Sequence, residues 1–115
     1  MVIRVYGMPA YAGSVLPGLA EDLKRSVSCV PEAQVDPSHV YVFFPTESVQ
    51  ERKGKELLTY VDTERKEAGY ALNAVGQAVG MTLREFARVR LTDCSTIEVL
   101  VRPNHQDDQL VVFGL

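Results

Sequence analysis

Two cysteines, two histidines and no surplus of basic side chains narrow the function classes open to this 115-residue chain. Cys29 and Cys94 lack CxxC spacing, so free, partly buried thiols are expected rather than a disulfide. Neither is well placed as a nucleophile. Cys29 follows the end of a predicted helix, where the dipole opposes a thiolate, and Cys94 follows Asp93. With 12 Lys and Arg against 15 Asp and Glu, the formal net charge is −3. No basic field and no interleaved aromatic ladder is therefore available for nucleic acid. No apolar run approaches a membrane span, and no basic segment followed by a short apolar core opens the chain, so a cytoplasmic protein is expected. Gly7, Gly13 and Gly18 lack the spacing of a phosphate-binding loop, and no cofactor is expected.

What is present is ordinary globular material, 46% hydrophobic and 23% charged. One domain over residues 1–115 follows, with one modest core that an oligomer burying more sheet surface would reinforce. "VIRVY" predicts a strand over about Val2–Tyr6, with Ile3 and Val5 on one face and Val2, Arg4 and Tyr6 on the other. "GMPAYAGS" reads as a loop, and Ser14 can cap the helix after it, which runs to about Ser28 with Leu16, Leu19, Leu23 and Val27 at helical spacing. "HVYVFFP" is a strand apolar on both faces, so both are expected to be covered. "TESVQERKGK" reads as an exposed loop.

"ELLTYVD" is the third strand, and Asp62 or Thr63 can cap the following helix. That helix carries a stripe of Ala68, Ala71, Leu72, Val75 and Val79, and its glycines and alanines keep it thin enough for close approach to a sheet. Gly80 suits a left-handed stop, with "TLRE" (Thr82 to Glu85) as the capping box of a further short turn. "TIEVLVRP" is the fourth long strand, "NHQDDQ" a turn, and "LVVFG" a short terminal strand or tail. The predicted architecture is α+β: a duplicated β-α-β two-layer sandwich, its halves about 1–45 and 55–103. A four-stranded mixed sheet carries both helices on one face.

Two folds share this order, the ferredoxin-like fold and the tautomerase fold. A first strand beginning at residue 2, a second ending in "VYVFFPTE", "ELLTYVD" leading into a helix, and "IEVLVRP" before a polar loop favour the second. In these features the chain resembles the tautomerase superfamily, which includes macrophage migration inhibitory factor and 4-oxalocrotonate tautomerase-like proteins. The resemblance implies a homotrimer. It also implies proton transfer on small keto–enol acids by an N-terminal proline amine exposed on removal of the initiator methionine, with arginines holding the substrate carboxylate. This sequence has Val2 where that proline stands, and Pro9 lies in the following loop. A Val2 amine can serve as base in its place, since a free α-amine titrates at about 7.7–8.0 and desolvation lowers that toward neutrality.

Arg4 and Arg102 are the candidate carboxylate-binding residues, because a guanidinium presents a two-pronged donor fork. A surface ion pair with Glu98 or another acid explains them as simply. His105, Asp107 and Asp108 cluster in a polar turn, and no metal site is expected from them; His39 at a strand start is expected to be structural. Three functions stay open at this point. One is isomerisation of a small 2-oxo acid. The others are a non-catalytic oligomeric binding protein on the same fold and a ferredoxin-like sensor of a small ligand.

Overall fold

Alternation of buried and open side chains sets the sheet. In the computed structural model, which describes residues 1–46, 54–63, 69–103 and 109–114, the strands are β1 (Val2–Tyr6), β2 (Tyr41–Phe43), β3 (Glu56–Thr63), β4 (Thr96–Pro103) and β5 (Gln109–Gly114). They form one mixed sheet in the order β2-β1-β3-β4-β5. Pairing is parallel for β1–β2 and β3–β4, and antiparallel for β1–β3 and β4–β5. Each β-α-β unit is thus unsplit, its two strands lying side by side. This separates the fold from the ferredoxin-like order, whose β-α-β units are split. The predicted terminal segment "LVVFG" belongs to β5, which extends the expected four strands to five.

The helices α1 (Leu16–Ser28) and α2 (Gly69–Arg90) cover one face. Ile3 and Val5 of β1, Leu57, Thr59 and Val61 of β3, and Ile97, Val99 and Val101 of β4 point into that layer and are fully buried or nearly so. They meet Leu19, Leu23 and Val27 of α1 and Leu72, Val75, Val79, Leu83 and Ala87 of α2 in one core. Burial of side chains of this size contributes about 1.5–3 kcal/mol each. No helix among the described residues is long and apolar enough to cross a membrane.

Four local expectations are corrected. The chain enters α1 through a 3-10 helix at Ala10–Val15, so Val15 takes the N-cap with helical backbone angles and Ser14 makes no capping bond. Helix α2 does not stop at Gly80 but runs 22 residues to Arg90. A Cβ at Gly80 would collide with the Phe113 ring, and one at Gly76 would meet Val111 at 2.9 Å. These two glycines therefore serve close packing of α2 on β5. Asp62 is a strand residue engaged by two arginines rather than a helix cap. Strand β2 is short, and Tyr41 and Phe43 are 57% and 51% exposed, so only the helix-facing side of this strand is covered within one chain. The predicted loop "TESVQERKGK" and turn "NHQDDQ", with His105, Asp107 and Asp108, fall largely outside the described residues.

Candidate functional site

The face of the sheet away from the helices carries the opposite parity: Val2, Arg4 and Tyr6 on β1, Leu58, Tyr60 and Asp62 on β3, Glu98, Leu100 and Arg102 on β4. Register then brings the sequence candidates together. Val2 lies across from Asp62 on one side and Tyr41 on the other. Asp62 in turn lies across from Arg102, and Arg4 across from Tyr60 and Phe43.

The two arginines converge on one carboxylate. Arg4 Nη1 donates to Asp62 Oδ2 at 2.6 Å, and Arg102 donates through Nε to Oδ1 at 2.7 Å and through Nη2 to Oδ2 at 2.9 Å. The second contact is a bidentate fork. The acid that pairs with Arg102 is Asp62. Two guanidiniums thus converge on one carboxylate at the end of the sheet. All three side chains are a third to two-fifths exposed.

Aromatic rings frame the cluster. The Arg102 guanidinium lies 4.4 Å from the centroid of the Tyr60 ring, within cation–π range. Tyr60 meets Tyr6 edge to face, with centroids 5.8 Å apart. Beside them, Arg4, Tyr6, Phe43, Phe44 and Pro45 line a shallow hollow of about 400 Å³. Charge at its rim and aromatic walls suit a small amphipathic acid.

The N-terminus adjoins this region. The Met1 amine donates to the His39 carbonyl at 3.1 Å, and the Met1 carbonyl accepts from the Tyr41 N–H at 3.0 Å. With Met1 in place, the amine stands one residue beyond Val2, a displacement of about 3.3 Å along a strand. Among the other candidates, His39 is exposed in a 3-10 turn at Pro37–His39. That turn is capped by Asp36, whose carboxyl is held below the usual carboxylate range by hydrogen bonds from the Ser38 backbone and hydroxyl. Cys94 is half-buried and burial pushes its thiol up, which disfavours a nucleophile. Cys29 is exposed, contrary to expectation, and both thiols are free.

Sequence reasoning missed Asp62 and Tyr60. Strand alternation carried the signal, since both continue the parity of Leu58 and so share a face with Arg4 and Arg102. A capping role for Asp62 masked it.

No protein-family model and no curated protein sequence matches the chain. Solved structures do. A fused 4-OT asymmetric trimer superposes with a TM-score of 0.69 at 11% identity, over 100% of this chain and 92% of that one. N1, a member of the cis-3-chloroacrylic acid dehalogenase family, gives 0.69 at 10% identity over 90% and 74%. Macrophage migration inhibitory factor of Toxoplasma gondii gives 0.63 at 10% identity over 93% and 90%.

Proposed function

We propose, on the premise that this chain carries the tautomerase-superfamily fold, that it is a homotrimer interconverting the keto and enol forms of a small 2-oxo acid. One observation carries the reading: Val2, Arg4 and Arg102 share the open face and meet around Asp62. Removal of Met1 would free the Val2 amine beside that cluster. The amine takes a proton from the carbon next to the substrate carbonyl. The C–H pair becomes the C–C double bond, and the carbonyl pair moves onto oxygen. Arg4 and Arg102 hold the substrate carboxylate and stabilise the oxyanion. The protonated amine then delivers the proton to that oxygen, giving the enol and restoring the base. The hollow of Tyr6, Phe43 and Phe44 receives the apolar body of the acid.

Intact mass and phenylenolpyruvate ketonisation test this together. A chain one methionine lighter, active until its terminus is acetylated and weakened about tenfold or more in KM by Arg102→Ala, is the expected result. A retained Met1, or activity indifferent to acetylation, overturns the amine as base.

A second reading has its own observation. The Met1 amine is bound to the His39 carbonyl, and Asp62 already engages both arginines. That arrangement favours a non-catalytic oligomer that binds a small carboxylate at the same place. Calorimetric binding of phenylpyruvate without turnover would select it.

A further inference from the structure

A second hollow of the described surface lies away from the open face of the sheet. It is a shallow groove of about 640 Å³ on the helix layer, between the C-terminal half of α1 and the last turns of α2. Its walls are two helical stripes. Asp22, Arg25, Ser26 and Cys29 recur on α1; Met81, Arg84, Glu85, Arg88 and Val89 recur on α2 at three- and four-residue spacing. Two properties set the chemistry of this groove.

The first is exposed apolar surface. Met81 is 60% and Val89 72% exposed, and the half-buried Phe86 lies between them. The second is charge. Arg25, Arg84, Arg88 and Arg90 face two carboxylates, Asp22 and Glu85, in a chain whose net charge is −3. Arg25 and Arg88 are paired with those acids along their own helices, at 3.3 and 3.8 Å. Arg84 and Arg90 have no acidic partner among the described residues. Attraction to the helix C-termini accounts for Arg25, Arg88 and Arg90 in the last turns. It does not account for Arg84, which lies before the last turn of α2, its Nε shielded from solvent and without a hydrogen-bond partner among the described residues. A buried donor left in that state favours an incoming acceptor.

We propose that this groove docks an amphipathic helix of a partner protein that carries carboxylates along its polar edges. Its apolar face lies on Met81, Phe86 and Val89, and its acids reach Arg84, Arg88 and Arg90. Two parallel stripes with apolar anchors match the helix-in-groove mode of recognition. It lies on the opposite layer from the open sheet face, so assembly through that face leaves it accessible. The inference does not depend on any activity of the chain.

The test uses a fluorescein-labelled synthetic helix of about four turns with leucines at i, i+3, i+4 and i+7 and glutamates elsewhere. A peptide of the same composition without the apolar stripe is the control. Saturable anisotropy binding of the first peptide only is expected. Affinity should fall about tenfold or more in the Arg84→Glu and Arg88→Glu/Arg90→Glu variants, and fall with added salt. The second variant changes only surface-exposed side chains and keeps the test valid if the first fails to fold by circular dichroism. Cys29 gives a footprint in the same groove: peptide should slow its alkylation several-fold and leave Cys94 unchanged. No saturable binding, equal binding of both peptides, or indifference to charge reversal overturns the proposal. So does a particle size that falls on Arg88→Glu/Arg90→Glu alone, which would give the groove to a second copy of this chain.

Discussion

Asp62 accepts three charge-assisted hydrogen bonds from two guanidiniums, and the cluster holds its shape through that carboxylate. Asp62→Asn leaves Arg4 and Arg102 facing each other with one neutral acceptor. Partial exposure screens the change, so the expected loss is about 1 kcal/mol, below the cost at a buried pair. Denaturant unfolding at low and high salt checks this, because the deficit should shrink as salt screens the two guanidiniums. Thr59 presents the opposite case. It is fully buried on the helix side of β3, and its hydroxyl has no hydrogen-bond partner among the described residues. Thr59→Val keeps the shape and removes the orphaned donor, so the midpoint of urea unfolding should rise, by about 1 kcal/mol in stability. Strand alternation groups Thr59 with Leu57 and Val61 on one face. That its hydroxyl finds no partner was not legible, because partners are set by elements distant in the chain.

Helix α2 shows how tertiary packing outranks a local signal. Gly80 followed by "TLRE" carries the marks of one helix ending and another beginning, yet the helix runs through. The reason lies in Phe113, far along the chain, whose ring occupies the space a side chain at residue 80 would need. An exposed mid-helix Gly→Ala substitution gains about 1 kcal/mol. Gly80→Ala should instead destabilise by about 1–3 kcal/mol through overpacking. Gly18→Ala, with open space around its site in α1, should stabilise by about 0.5–1 kcal/mol. Thermal unfolding of the two variants separates these signs. The strands and the core stripes of both helices were readable because periodicity records which side is buried. Helix ends were not: Gly80 answers to the distant Phe113, and the 3-10 helix at Ala10–Val15 moves the cap from Ser14 to Val15.

At the scale of the molecule, the β-α-β duplication was legible in element order, and the fold it implied is the one the structural matches share. The site was legible only in part. Val2, Arg4 and Arg102 were named from the sequence, but their meeting point depends on register between strands far apart in the chain. The open face leaves Tyr41, Phe43 and Val112 each more than half exposed, alongside Leu58, Tyr60 and Leu100. Large apolar side chains on an uncovered sheet face are what an assembly interface would use. Under the proposed trimer, Phe43→Lys combined with Val112→Lys should reduce the sedimenting species from three chain masses to one. The helix content should stay unchanged, since neither side chain lies in the core.

The interior place of β1, between β2 and β3, also sets an order of events during synthesis. It is the first strand to leave the ribosome, and its partners come later on both sides, β2 and then β3. Ile3 and Val5 can be covered early by α1, but the hydrogen bonds of one edge of β1 wait until residues 58–62 have emerged. The second unit then builds outward from that seam, with β5 closing the far edge last. A nascent chain of this topology therefore carries an unpaired, apolar strand edge for much of its translation. That interval is when capture by a chaperone, or pairing with the wrong strand, competes with folding.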